Sequence, residues 1–153
     1  MPTSINHQLM YEDLQRIRQG LMIEKEKYNF NNEQTYAGVA RLCPAPIILV
    51  EGIFIFHFER LRSLYDLKIF VHAKEDLKLI RRIKRDQIER NYLVEDVLYQ
   101  YEHHVMPAYE KYIKPYLDEA DIVVNNNITF ERAFEVIRGF ICNYLREIEY
   151  KHE

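Results

Sequence analysis

The 153-residue chain has no tryptophan, two cysteines, four glycines and five prolines. Each scarcity removes a class of protein. Cys43 and Cys142 lie far apart without metal-ligand spacing, so they form no zinc knuckle or disulfide framework and read as buried or free thiols of a reducing compartment. Gly20, Gly38, Gly52 and Gly139 include no pair five residues apart followed by Lys, so the chain carries no GxxxxGK[ST] phosphate loop. No Gly-x-Ser-x-Gly elbow and no Cys/His nucleophile arrangement is present. No apolar run approaches the roughly 18 residues of a membrane span, and no secretory leader pattern opens the chain. Neither sign of charge dominates: a net charge of -3 excludes a bulk nucleic-acid or membrane-surface binder. The expected compartment is the cytoplasm.

What remains is an ordinary globular composition, 48% hydrophobic and 29% charged, long enough for one domain with a core. Leu9, Met10, Leu14 and Ile17 have helical spacing over 7–19, with Asn6 as cap and Gly20 as stop. "LMIEKEKYNF" alternates like a half-exposed strand, and "TYAGVARLC" returns as the second arm of a hairpin spanning 21–43. "IILV", after Pro44 and Pro46, is a continuous apolar run of the kind found in strands buried on both faces of a parallel sheet, and it closes on Glu51. "LKIFVHA" is a second buried strand and "ADIVV" a third, short one. Helices are predicted over 75–90, 93–104, 107–117 and from Phe130 to Ile148, the last capped by Thr129. The alternation gives an α/β fold with a mainly parallel sheet flanked by helices, in a single domain over 1–153.

Two features can carry chemistry. An acid at the carboxyl end of a buried parallel strand, as Glu51 is here, sits where α/β proteins bind ligands and where phosphate-transfer proteins hold Mg²⁺. Its bland alternative is a strand reaching solvent. Between 78 and 90 stand six bases and two acids, with Arg81, Lys84 and Arg85 within a turn of one another. Guanidinium groups there can clamp phosphate oxygens. The alternative is a solvated helix with i,i+4 pairs, Arg82 with Asp86 and Arg85 with Glu89. His103 and His104 are adjacent, so they point to different sides of a helix and form no metal pair. The tyrosines at 99, 101, 109, 112 and 116 read as packing residues.

Taken in order, "PAPIILVEGIFIF", "LYDLKIFVHAKEDLKLIRRIKRDQIER" and "YEHHVMPAYEKYIKPYLDEADIVV" resemble the uridine kinase family of phosphoribulokinase-like P-loop kinases, from residue 2 to about 140. The resemblance implies transfer of the γ-phosphate of ATP or GTP to the 5′-hydroxyl of uridine or cytidine, with Mg²⁺ as cofactor and a tendency to homo-oligomerise. It places Glu51 at the magnesium side of the nucleotide site and Arg82, Arg85 and Arg90 as lid arginines in a helical region over 75–104. Gln100 becomes a nucleoside-recognising glutamine, Tyr28 an aromatic of the substrate hairpin, and Asn126 a residue near the adenine. Asn91 and Tyr92 depart from the Gly and second Arg that often follow the lid "ER". Asn32 and Glu33 occupy the hairpin region where a base-contacting His belongs. The phosphate loop, its strand at the sheet centre and the general-base Asp are expected ahead of Met1. The 153 residues then correspond to the carboxyl-terminal two-thirds of such a kinase, inactive alone. Two alternatives stay open: a kinase of another small hydroxylated substrate, and a non-enzymatic partner or regulatory subunit.

Overall fold

A computed structural model describes residues 1–27 and 38–150. Tyr28, Asn32 and Glu33 lie outside the described residues. Contacts within the chain cluster into two compact units, one over Pro2–Leu64 and the other from Tyr65 onward.

The first unit begins with α1 (His7–Arg18), whose first turn is closed by Asn6 Oδ1 accepting from Leu9 N at 3.0 Å. Gly20 follows at φ +83°, a left-handed turn that glycine adopts without a Cβ penalty. Strands β1 (Ile23–Glu26) and β2 (Val39–Leu42) pair antiparallel, Ile23 opposite Leu42 and Glu26 opposite Val39. Alternation in "LMIEKEK" places Ile23, 3% exposed, on the packed face. Lys25 Nζ lies 2.7 Å from Asp13 Oδ2, tying β1 to α1 by a close ion pair outside ideal hydrogen-bond alignment. The short α2 (Glu59–Arg62) buries Leu61, and Ile17 and Phe54 join it in this unit's core.

The segment 47–51 is not a strand, which corrects the reading of "IILV" as one buried on both faces. Ile47 and Ile48 are more than a third exposed, and Leu49 is 86% exposed. A strand needs a neighbour to take its backbone N–H and C=O groups, and among the described residues none pairs here.

The second unit is built on two parallel strands, β3 (Ile69–His72) and β4 (Ile122–Asn125), with Ile69 opposite Ile122 and His72 opposite Asn125. The connection between them is helical, as parallel pairing requires. It runs through α3 (Glu75–Arg90), α4 (Val94–Gln100), a π-helical turn (Tyr101–Val105) and α5 (Met106–Tyr112). Phe70, Val97 and Val124 form the core of this unit, while Val71 at 62% and Val123 at 49% leave part of the sheet uncovered. The mixed α/β class with a short parallel sheet and flanking helices is therefore present.

Residues 94–112 form one helical run rather than the two helices predicted over 93–104 and 107–117. Pro107 lacks the N–H that would bond back one turn, and its ring excludes the carbonyl there. The π turn, with Met106 N donating to Tyr101 O, widens the backbone just ahead of that ring and lets the helix continue. A short 3₁₀ turn (Lys114–Tyr116) then ends the run at Pro115. The long α6 (Glu131–Tyr150) is entered through Thr129, whose hydroxyl accepts from Glu131 N at 3.2 Å.

The start of the β3–β4 pair is pinned by one carboxylate. Lys68 N donates to Asp121 Oδ2 at 2.7 Å, and Lys68 Nζ lies 3.1 Å from the same oxygen. The backbone hydrogen bond, followed by the ammonium, holds the Asp121 carboxyl below its ordinary value of 3.8. A carboxyl depressed on folding stabilises the fold above its unfolded value and loses that contribution as pH falls through its folded one. A carbon-detected NMR titration should give Asp121 a midpoint below 3.8, and Asp121→Asn should flatten acid unfolding in that window. A midpoint at or above the ordinary value removes the pinning argument.

Among the described residues, no helix is long and apolar enough to cross a membrane.

Candidate functional site

Helix α3 is the most charged element of the second unit, and its geometry sorts its bases into two groups. Arg81 donates from Nη1 to Asn126 O at 2.8 Å and from Nη2 to Asn127 O at 3.0 Å. It ties α3 to the loop after β4 and is not a free member of a cationic face. The same loop is held by Asn126 N donating to His72 O at 2.7 Å, by Lys74 N donating to Asn127 Oδ1 at 2.8 Å, and by Asn127 N donating to Asn125 Oδ1 at 2.9 Å. Asn126 is thus positioned by its backbone, half-buried at the end of the sheet.

Arg82, Arg85 and Arg90 form the second group. All three turn toward Asp86, which is 1% exposed. Arg85 places Nε and Nη2 both 3.0 Å from Asp86 Oδ1. Arg90 Nη1 lies 3.7 Å from that oxygen, and Arg82 Nε 3.4 Å from Oδ2. The Arg85 contact is a hydrogen-bonded ion pair. The other two are charge contacts, since Arg82 Nε is buried without hydrogen-bond alignment and 3.7 Å exceeds hydrogen-bond reach. The expected pair of Arg82 with Asp86 is present, whereas Arg85 turns to Asp86 in place of Glu89.

The hub also ends the helix. Asp86 O accepts from Asn91 N and from Tyr92 N, the latter at 3.2 Å. Asn91 sits at φ 54°, ψ 34°, in the left-handed region. Glycine is the usual residue for that cap and asparagine the next best, because its short polar side chain tolerates the conformation. The departure from Gly at this position therefore preserves the cap. Beyond it Gln87, Asn91, Tyr92, Leu93, Val94 and Glu95 line an open depression of ≈ 450 Å³.

Gln100 ends α4 with an exposed side chain, next to the π turn. In that turn, Tyr101 Oη lies 3.4 Å from Glu75 Oε2. Lys78 Nζ stands 3.8 Å from the centre of the Tyr109 ring and 2.7 Å from Glu75 Oε1. Burial opposes the Lys78 charge, but Glu75 and Tyr109 outweigh it and raise the ammonium above its ordinary value. This network fastens α3 to the π turn and α5. His103 stacks on Tyr99 at 4.3 Å, and both are exposed, so Tyr99 does not belong to the core.

Glu51 belongs to the first unit. Its side chain is exposed, and among the described residues no hydrogen bond or ion pair engages it. Gly52 follows, where an added Cβ would meet Ile55 Cγ2 at 3.0 Å, so the turn after Glu51 is tight. Among the described residues no group of three His, Cys, Asp or Glu side chains could hold a metal ion. A lone carboxylate suits Mg²⁺ only beside phosphate oxygens and water, which is how that ion is commonly bound in phosphoryl-transfer sites.

Sequence reasoning singled out the three arginines but treated Asp86 only as a surface partner of Arg82. The signal that could have found it is position: Asp86 is four residues from both Arg82 and Arg90 and adjacent to Arg85.

The chain is similar to known proteins along nearly its whole length. The chain is 31% identical over 146 residues to a uridine kinase of Borrelia duttonii (strain Ly), covering 95% of this chain and 71% of that protein. It is 33% identical over 147 residues to a uridine kinase of Streptococcus pyogenes serotype M5 (strain Manfredo), covering 96% of this chain and 71% of the relative. A uridine kinase of Borrelia garinii subsp. bavariensis is 32% identical over 146 residues. A profile of the Phosphoribulokinase / Uridine kinase family matches residues 1–131, and with relatives of this similarity along nearly the whole chain, the protein belongs to that family.

Proposed function

We propose that this chain supplies the lid and nucleoside side of a cytoplasmic pyrimidine nucleoside kinase. The reaction is transfer of the γ-phosphate of ATP or GTP to the 5′-hydroxyl of uridine or cytidine. The observation that carries the reading is the gathering of Arg82, Arg85 and Arg90 around one buried carboxylate in a member of this family. Three cations against one anion leave a surplus of positive charge that a polyphosphate would neutralise. In this reading the arginines stabilise charge on the transferring phosphoryl group. Glu51 provides one oxygen ligand to Mg²⁺ or to its water shell, and the ion supplies charge neutralisation on the phosphates. Gln100 reads the nucleoside, Tyr28 packs against it from the hairpin, and Asn126 lies near the adenine. Residues 1–153 act as one domain with 21–43 as the substrate hairpin and 75–104 as the lid.

Neither a phosphate loop nor its lysine is among the 153 residues, so turnover requires that segment from elsewhere. The test is therefore phosphoryl transfer by this chain fused at Met1 to the phosphate-loop segment of a relative. Uridine and cytidine should be phosphorylated well above adenosine and guanosine, and Gln100→Ala should raise the nucleoside KM roughly tenfold with little change in kcat, as loss of uniform binding does. A fusion that folds and phosphorylates no pyrimidine nucleoside removes the reading. Asn32 and Glu33 favour a second one, a kinase of another small hydroxylated substrate. That reading is supported if such a compound outcompetes uridine in the same assay.

A further inference from the structure

Asp86 is the most buried charged side chain of the described residues, and no step of the phosphoryl transfer outlined above uses it. At 1% exposure, its own side chain does not reach solvent, while the side chains of Arg82, Arg85 and Arg90 remain 28%, 47% and 42% exposed. The carboxylate engages one edge of each guanidinium: Nε of Arg82, Nε and Nη2 of Arg85, Nη1 of Arg90. The remaining donors, Arg85 Nη1 and Arg90 Nη2 among them, take no part in these contacts. Its backbone carbonyl meanwhile closes the helix at Asn91 and Tyr92, so the hub is fixed to main chain on one side and to three cations on the other.

We propose that Asp86 is a positioning residue for polyphosphate binding. It orders the three arginines in advance, so that their unused N–H groups meet phosphate oxygens without first losing rotamer freedom. The inference rests on the reading of those arginines as phosphate clamps. It opposes the simplest electrostatic expectation, which is that a carboxylate beside an anion site weakens the site by repulsion. The two effects differ in sign, so the Asp86→Asn substitution decides between them. Asparagine keeps the shape and removes the charge that holds the guanidiniums. Ordering predicts weaker polyphosphate binding, repulsion predicts tighter.

The probe is inorganic tripolyphosphate titrated into the full chain by calorimetry at low salt. Asp86→Asn should weaken binding roughly tenfold, the scale of a lost charge-assisted contact. Asp86→Glu should recover most of the affinity. Binding by Asp86→Asn as tight as the parent, or tighter, overturns the inference. The double variant Arg85→Ala/Arg90→Ala tests the underlying reading: if it binds tripolyphosphate as the parent does, or the parent shows no binding, the clamp reading falls and takes the inference with it. Should Asp86→Asn not fold, the unmodified protein still answers. The Arg85 Nε–H NMR signal should stay protected from exchange at saturating tripolyphosphate, because the carboxylate keeps its hold. Loss of that protection shows that Arg85 leaves Asp86 to bind, and overturns the inference.

Discussion

Mixed with ATP, Mg²⁺ and uridine, the 153 residues by themselves are expected to release no uridine monophosphate. A phosphate loop contributes backbone N–H groups and a lysine that fix the reacting phosphates, and the chain contains neither. Positioning of bound reactants is worth on the order of 7 kcal/mol or more of barrier, and each lost donor to developing charge costs about 10²–10³ in rate. Losses of that size put turnover below detection even with Arg82, Arg85 and Arg90 in place. Fusion to a relative's phosphate-loop segment should bring turnover to the ordinary range of about 1–100 s⁻¹. The same fusion should sharpen thermal unfolding. Leu49, Ile53, Val71 and Val123 are exposed, and segment 47–51 has no strand partner among the described residues. A central strand would give 47–51 a partner for its backbone groups and would cover exposed apolar residues. Uridine monophosphate from the chain alone would show that the loop is dispensable. A sharp cooperative melt of the monomeric chain alone would show that the uncovered sheet costs little.

In the loop-supplied protein, Arg85→Ala should lower kcat by about 10²–10³-fold, the scale for removing one donor to transition-state charge. Its stability cost should be smaller than that loss of transition-state stabilisation, about 1–3 kcal/mol, since Asp86 loses its hydrogen-bonded guanidinium. Arg85 is half exposed, which discounts its ion pair, and Arg82 and Arg90 remain beside Asp86. Arg81→Ala makes the contrast. It removes two hydrogen bonds to backbone carbonyls at the end of β4 and should act mainly on stability. Paired measurements of kcat and melting temperature on both variants separate the roles. If Arg85→Ala lowers the melt and spares kcat, Arg85 is a structural residue and the lid assignment fails.

Local elements with strong periodicity were legible. The charge gradient and apolar spacing of "EDLKLIRRIKRDQIER" coincide with α3, and Asn6 caps α1 as its side chain predicts. These depend on contacts within a turn or two of chain, so local sequence carries them. The α/β class followed in the same way from the order of the elements. Pro107 was misleading because a proline near a helical pattern reads as a start. Only the backbone shows that a π turn carries the helix past it. "IILV" was misleading for a different reason: its apolar run specifies burial, but a strand exists only when another strand pairs with it.

The candidate site divides along the same line. From sequence alone came the family, the arginine-rich helix and the absence of a phosphate loop, because residue identity and order are enough to establish each. Tertiary structure decided which arginines act together. Arg81 and Arg82 are neighbours in sequence, yet one binds the loop after β4 and the other faces Asp86. That division depends on where the helix lies against the sheet end and on which carboxylate is buried. Both follow from packing between segments some 45 residues apart, which the helix's own sequence does not contain.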